Sequence, residues 1–358
     1  MKTTVFEGVV EYVQIMDENG NIDQSLMPDG LSDDGIINMY KYMSYARALD
    51  EKMLSLQRQG RAVTYAPLVG EEATQIGSAL AMRDGDLFVP NFRQHGVFLA
   101  RGMPLDMFFI YWRGFEEGGS IPKDVGGFPV CVPVASQMPH AAGVAFAQKY
   151  FKTGKAVVTY VGDGGTSEGD FYESINFAGV FNIPLITIIE NNQWAISVPR
   201  EKQSTAKTLA QKGFAAGIKV IQVDGNDVIA VYKATRDAIN STAQSPTLIE
   251  CVTYRMSMHT TADDPTKYRQ EDEVARWMAK DPIERVRKYL VAKGIWDDKR
   301  ETEMRDAHKS AIDAGVDKAE KFVPDPKTMF DHIYSYMPPM LKEELDEALA
   351  SDFYTKVN

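Results

Sequence analysis

Two residues, Asp163 and Asn192, offer metal-binding oxygens at a telling spacing. Asp163 follows a strand-like run, Ala156 to Val161, inside Gly162-Asp163-Gly164-Gly165. Asn192 follows a second run, Leu185 to Ile189, which ends in Glu190-Asn191-Asn192. A helix-like stretch separates the runs, so the spacing predicts a βαβ unit with Asp163 and Asn192 just past the carboxyl ends of its strands. In an open parallel sheet that edge is where ligands bind. Mg²⁺ prefers a rigid octahedron of oxygens and keeps phosphate and water among them. One carboxylate, one amide and one backbone carbonyl would leave places for phosphate oxygens, which describes a metal that arrives with a diphosphate. Gly162, Gly164 and Gly165 allow a tight turn and close approach of backbone N–H groups to phosphate. Thr166 or Ser167 is expected to cap the next helix, whose N-terminus favours an anion. Taken separately, each motif reads better as a mere turn or loop. Their placement on consecutive strands favours the metal site.

For these residues to meet, the surrounding chain must build a sheet. Ile218 to Val223 and Thr247 to Thr253 read as further strands around a helix at Val228 to Ala243. Asp86 to Val89 reads as a short strand leading into Pro90-Asn91-Phe92-Arg93. Helical patterning marks Asp33 to Gln59, with Ser32 as N-cap and Gly60 as stop. It recurs at Glu71 to Met82, Pro104 to Arg113 and Ser136 to Phe151. Strands alternating with helices predict the α/β class, a mostly parallel sheet with helices on both faces. Residues 1–30 read as an extended arm with a polar turn at Asp17 to Gly20. The arm's strand-like piece, Val9 to Ile15, is suited to packing on a partner. From Glu271 the pattern is helical and charged. The expected organisation is a single large α/β domain over 1–358, with an arm (1–30), a ligand-binding core (31–270) and a helical C-terminal region (271–358).

Composition narrows the partners. Lys plus Arg number 39 against 50 Asp plus Glu, a net charge of −11. That argues against nucleic acid or an anionic membrane, and an anionic substrate then needs a local basic site. Cys131 and Cys251 lie in apolar, strand-like surroundings and are expected as buried free thiols rather than a disulfide or metal pair. No apolar run approaches membrane length. The N-terminus carries Glu7 and Glu11 and lacks a signal core or Arg-rich pattern, so a cytoplasmic location is the default.

The Gly162 to Asn192 segment is similar to the thiamine diphosphate motif, which opens with GDG and closes with NN after a strand–helix–strand. More narrowly, the chain resembles the alpha subunit of the decarboxylating component of 2-oxo acid dehydrogenase complexes, the family of the pyruvate and branched-chain 2-oxo acid enzymes. RQGRAVTYAP (Arg58 to Pro67), GEEATQIGSA (Gly70 to Ala79) and TYRMSMHTTADDPTKYR (Thr253 to Arg269) match in order. The resemblance runs from about Leu31 to Met337-Pro338. It implies a thiamine diphosphate-binding fold, with Mg²⁺ on Asp163, Asn192 and the backbone of Trp194. It also implies cofactor contacts from Asn91, Phe92, Arg93, Val132, Val134, Gly162, Asp163, Gly164, Gly165, Asn192, Trp194, Ala195, Ile196 and His259.

Several positions carry more than one reading. In the family a Tyr-Arg pair grips the diphosphate. Here the pair is Phe92-Arg93, so the phenolic hydrogen bond is missing and the guanidinium remains; by itself Arg93 reads as a solvated loop residue. By resemblance His259 is the catalytic histidine, lying near the thiazolium ring and diphosphate and orienting the reacting groups. A histidine can also transfer protons there, and its bland reading is a loop side chain with one backbone hydrogen bond. His95, His140, His308 and His332 read as structural or surface residues. Val132 and Val134 match positions flanking the cofactor's rings, the first of them a serine in some relatives. Cys131, Pro133, Ser136 and Gln137 match a monovalent-cation site, for K⁺, in some members; a helix cap is the simpler alternative. Thr260 to Arg269 resembles a loop that cofactor orders and phosphorylation disorders in eukaryotic relatives. Its anchors would be Arg255, Asp263, Tyr268 and Arg269, with Thr260 at the regulated position.

In two-chain members the glutamate that touches the aminopyrimidine belongs to a beta subunit. The resemblance therefore implies an α₂β₂ heterotetramer with the cofactor across the α–β interface. It would pass an acyl group to a lipoyl group on a transacylase core, the cofactor carrying the carbanion chemistry. The implied enzyme is an oxidoreductase acting on a small 2-oxo acid. HTTADD (His259 to Asp264) resembles the HSTSDD of branched-chain enzymes, which makes branched-chain 2-oxo acids the expected substrates. GDGGTSEGDFYE and AKTLAQK resemble bacterial pyruvate enzymes, so pyruvate is the alternative, and acetoin cleavage is another use of the scaffold. A non-catalytic, cofactor-binding assembly subunit is the reading from a different class; the intact Asp163, Asn192, Arg93 and His259 set argues against it. A nucleotide-binding Rossmann loop fits poorly, because GDGGTSEG lacks the G-x-G-x-x-G spacing.

Overall fold

The computed structural model describes residues 1–241 and 245–351. Its strands are β1 (Tyr12–Val13), β2 (Leu87–Val89), β3 (Val157–Gly162), β4 (Leu185–Asn191), β5 (Trp194–Ala195), β6 (Val198–Pro199), β7 (Lys219–Asp224) and β8 (Thr247–Val252). The first helices are α1 (Asp33–Arg58), α2 (Glu72–Ala81), α3 (His95–Ala100), α4 (Leu105–Trp112), α5 (Gln137–Tyr150) and α6 (Gly169–Phe181). They are followed by α7 (Arg200–Gln203), α8 (Val228–Ser241), α9 (Glu271–Met278), α10 (Pro282–Ala292), α11 (Asp298–Glu320) and α12 (Pro339–Ala350). Six strands form one parallel sheet in the order β1-β7-β8-β4-β3-β2. β5 and β6 make a separate antiparallel hairpin.

The sheet is covered on both faces, as its apolar strands require. Every residue of β4 is buried. Val158 and Tyr160 of β3, with Ile186 and Ile188 of β4, face a core shared with α1, α2 and α8. Val161 and Ile189 point the other way, onto Met138 of α5 and Phe171 and Ile175 of α6. This period-two division holds β3 and β4 in the register that pairs Val157 with Leu185 and Gly162 with Glu190. Asp163 and Asn192 therefore emerge together at the carboxyl edge.

The expected helices and strands form, with informative differences. Ser32 Oγ accepts the Gly35 N–H (3.2 Å) at the start of α1, and Gly60, at φ +72°, follows its end. Of the helix expected over Val228 to Ala243, Thr242 and Ala243 lie outside the described residues. Neither Thr166 nor Ser167 caps α6. A 3₁₀ turn, Gly164–Ser167, intervenes, and α6 begins after Glu168 without a side-chain cap. Thr166 Oγ1 donates instead to the Asp163 carbonyl (2.7 Å). The N-terminal arm packs on its own chain. β1 covers the edge left by β7, where unpaired strand groups would otherwise be exposed. Beyond it, the Ile15 and Met16 N–H groups donate to Asp227 Oδ2 (2.6 and 2.7 Å), and Arg285 joins the Met16 carbonyl to Asp224. Both cysteines are free. Cys251 is buried in β8, but Cys131 is only half-buried in a loop, where Pro129 and Pro133 prevent a strand ladder. No described helix is long and apolar enough to cross a membrane.

Candidate cofactor site at the carboxyl edge of the sheet

One cavity of about 410 Å³ opens at this edge, and all fourteen residues proposed as cofactor contacts line it. Asn91, Phe92 and Arg93 come from the β2–α3 connection, and Val132 and Val134 from the loop before α5. Gly162, Asp163, Gly164 and Gly165 leave β3. Asn192, Trp194, Ala195 and Ile196 leave β4, and His259 follows β8.

The floor is acidic. Asp163 is 1% exposed, and its Oδ2 has no hydrogen-bond partner. Burial pushes its carboxyl up to about 7, against the pull of the Arg255 guanidinium. A divalent cation there would hold the group ionised and satisfy the orphaned oxygen. The Asn192 amide is oriented from both ends. Nδ2 donates to Glu71 Oε1 (2.7 Å), while Oδ1 accepts the Trp194 N–H (3.3 Å) and keeps a second lone pair. The Trp194 carbonyl accepts Arg255 Nη1 (2.8 Å). Among the described residues no three His, Cys, Asp or Glu side chains converge as a metal cluster. The donor set present suits a cation that brings its own phosphate oxygens. None of Gly162, Gly164 and Gly165 has a positive φ, and it is close packing that Gly164 and Gly165 serve. A Cβ on Gly164 would lie 2.7 Å from Ala195 Cβ, and one on Gly165 2.6 Å from Val161 Cγ2. A Cβ on Gly162 would meet nothing within 4 Å. Ala135, Gln193 and Ile196 have φ of +63°, +72° and +56°, so backbone strain gathers around the cavity, as it does at ligand sites.

The opposite wall is basic. Asn91 Oδ1 accepts the Arg93 N–H (2.7 Å) and fixes the turn that sends Arg93 inward, where it is 4% exposed. The solvated reading of Arg93 is thus excluded. Its guanidinium donates to the Pro67 carbonyl, to the His259 carbonyl (3.0 Å) and to His259 Nδ1 (3.2 Å). Arg255 Nη1 lies 3.4 Å from the same Nδ1. Both neighbours can only donate, so Nδ1 is an acceptor and the neutral ring carries its proton on Nε2. Burial, then Arg93 and Arg255, push the imidazole down to about 3. Phe92 meets the ring edge-to-face at 5.9 Å. The four expected loop anchors engage one another. Asp263 Oδ2 accepts the His259 N–H (2.8 Å) and the Tyr268 hydroxyl (2.6 Å), and Arg255 Nη2 donates to that hydroxyl (3.0 Å). Arg269 donates to the Arg255, Met256 and Ser257 carbonyls. Thr260 lines the cavity.

Other expectations part here. Of the four residues matched to a cation site, only Gln137 lines the cavity, and its Nε2 donates to the Tyr160 carbonyl (2.6 Å). The helix-cap alternative does not form, since Ser136 is already helical (φ −62°, ψ −19°) and makes no side-chain cap bond. His95 is buried, stacked on Tyr65 with centroids 4.7 Å apart, a structural role as expected. Sequence reasoning overlooked Glu71 and Glu190, both buried cavity residues with one unpartnered oxygen each. Burial pushes both carboxyls up, Glu71 against the pull of Arg93. The available signal was an acidic residue opening an apolar helix after Gly70, and another ending an apolar strand.

The profile of the family described as "Dehydrogenase E1 component" matches residues 40–327. The "Pyruvate dehydrogenase E1 component subunit alpha" of Staphylococcus aureus (strain Mu50) is 43% identical over 341 residues, covering 94% of this chain and 92% of that protein. The protein of the same description from Staphylococcus epidermidis (strain RP62A) is 42% identical with the same coverage. The chain belongs to the dehydrogenase E1 component family, as an alpha subunit of the 2-oxo acid dehydrogenase type.

Proposed function

We propose that this chain is the alpha subunit of a pyruvate dehydrogenase E1 component and supplies the metal–diphosphate half of a thiamine diphosphate site that a beta subunit completes. The observation that carries this reading is the floor of the cavity, where the buried, unpartnered Asp163 oxygen sits beside an Asn192 amide whose oxygen is left free to ligate. Asp163, Asn192 and the Trp194 carbonyl would hold Mg²⁺. Arg93 would balance diphosphate charge with a fixed guanidinium. When bound, thiamine diphosphate supplies the carbanion stabilisation that decarboxylation needs. His259, neutral and protonated on Nε2, would offer a hydrogen-bond donor to the reacting groups without adding positive charge. Val132 and Val134, 61% and 54% exposed, provide apolar contact at the mouth.

The branched-chain expectation gives way to pyruvate in this reading. The two relatives named above carry the pyruvate description at 42–43% identity, and GDGGTSEGDFYE already pointed that way. HTTADD, in the loop beside the cavity, keeps branched-chain acids as a second reading. One methylene in a pocket changes discrimination by only about 1–3 kcal/mol, so both acids belong in the same assay. The test is 2-oxo-acid-dependent dye reduction with thiamine diphosphate and Mg²⁺, using the chain alone and co-purified with its beta subunit. Activity only in the complex, with kcat/KM for pyruvate at least ~10-fold above that for branched-chain acids, is expected. Preference for a branched-chain acid would overturn the substrate, and turnover by the chain alone would overturn the shared site.

A further inference from the structure

The Asn192 amide is held from the cavity wall by a residue that is not among the expected metal ligands. Glu71 is fully buried. Its Oε1 accepts Asn192 Nδ2 at 2.7 Å and lies 3.7 Å from Arg93 Nε. A carboxylate accepts and does not donate, so this contact forces the NH₂ of Asn192 away from the ligand position and leaves Oδ1 for a cation. The position of Glu71 is itself built rigidly. Gly70 stands at φ +102°, and a Cβ there would lie 2.0 Å from the Tyr254 carbonyl oxygen. Thr253 Oγ1 donates to the Gly70 carbonyl (2.7 Å), and the Met256 N–H to the Val69 carbonyl (3.0 Å). The segment before α2 is thus fastened to the exit of β8, and Glu71 is delivered between Asn192 and Arg93.

We propose that Glu71 is a positioning residue: it fixes the Asn192 amide with its oxygen toward the metal and ties that ligand to Arg93, the diphosphate arginine. The inference rests on the metal assignment under the proposed function. Outer groups that orient a metal ligand typically change metal affinity by about 10–100-fold when removed. Without Glu71 the amide is free to turn its NH₂ toward the cation, and the metal dependence of cofactor binding suffers rather than the fold.

The α–β complex can be titrated with Mn²⁺ in the presence of thiamine diphosphate, with free Mn²⁺ followed by electron paramagnetic resonance. Glu71→Ala is expected to weaken Mn²⁺ binding by about 10–100-fold. In an Asn192→Ala background the same change is expected to add less than about twofold, because coupled residues are not additive. Glu71→Gln keeps an acceptor oxygen and should stay within roughly threefold of wild type, a fraction of one hydrogen bond. It carries the test if the alanine variant fails to assemble. Full additivity of the two alanine changes, or a glutamine variant bound as weakly as the alanine one, would overturn the positioning role. Wild-type Mn²⁺ affinity in Asn192→Ala alone would instead overturn the metal assignment beneath it.

Discussion

Asp163 and Asp227 are both buried carboxylates at the carboxyl ends of parallel strands, yet they serve different ends. Asp227 holds the N-terminal arm. Oδ2 accepts the Ile15 and Met16 N–H groups, and Oδ1 those of Ile229 and Ala230 (3.0 and 3.2 Å). Asp163 leaves one oxygen with no partner and faces a cavity. Burial pushes both carboxyls up, Asp227 to about 6 and Asp163 to about 7. A perturbed pKa therefore does not separate a structural acid from a functional one. Hydrogen-bond accounting does: an acid whose donors all come from its own chain closes a structure, and one left short awaits something else.

Exchanging the roles tests that distinction most severely. Asp163→Ala should reduce metal-dependent thiamine diphosphate binding by more than ~100-fold, beyond the range for residues that merely support a ligand. The unloaded complex should melt close to wild type, since Oδ2 has no partner to lose and only backbone contacts at Asp163 and Gly164 go with the carboxyl. Quenching of tryptophan fluorescence by the cofactor, beside a thermal melt, gives both numbers. A lower melting temperature with intact cofactor binding would place Asp163 in the structural class. Asp227→Ala should do the reverse. Stranding buried N–H groups costs about 1–3 kcal/mol, read as a lower denaturant midpoint, while cofactor affinity stays at the wild-type value.

This contrast also marks what was legible in the sequence. Asp163, Asn192 and the glycines could be read because strand, turn and helix signals are local and consecutive. Arg93 and His259 came through resemblance rather than spacing, since each lies on a loop that only the assembled sheet brings to the cavity. Glu71 and Glu190 escaped because an acid in an apolar context is ambiguous until its long-range partners are known. Glu71 meets Asn192 across 121 positions, and Gln94 Nε2 meets Glu190 across 96. The arm's docking had the same cause: Asp227 and Arg285 act far from the residues they hold. The Thr166 cap failed for a local reason, because a glycine pair admits a 3₁₀ turn before the helix as easily as a direct start.

His259 sharpens the comparison on the basic side. Burial and two guanidiniums, Arg93 and Arg255, oppose its protonation, while Asp263 gives weak support to it. The native pKa of about 3 lies below the ordinary 6.5. The unfolded chain thus binds more protons between those values, and this group's stabilising contribution falls as pH drops from about 6.5 toward 3. The ¹³Cε1 resonance of His259 should stay that of a neutral ring from pH 5 to 8. Arg93→Gln should raise its midpoint toward the ordinary value. A wild-type midpoint near 6.5 would show that the guanidiniums do not govern the ring.

The smallest effect concerns Phe92, where this chain departs from the Tyr-Arg pair of its family. Phe92 lines the cavity, packs edge-to-face on His259 and lies under the Arg93 guanidinium, 5.5 Å from its ring centroid. Those contacts come from the ring and survive in tyrosine. Phe92→Tyr adds only a hydroxyl, and one net hydrogen bond contributes about 0.5–1.5 kcal/mol, so cofactor affinity should rise roughly 2- to 10-fold if the phenol reaches the diphosphate. Arg93→Lys should lose more than this gain, because an ammonium cannot reproduce the forked contacts to Pro67 and His259. Unchanged affinity in Phe92→Tyr, with a clear loss in Arg93→Lys, would assign diphosphate recognition on this wall to the guanidinium alone. It would also explain how the chain dispenses with the phenol: the aromatic ring is needed to hold His259 and Arg93 in place, and its hydroxyl is not.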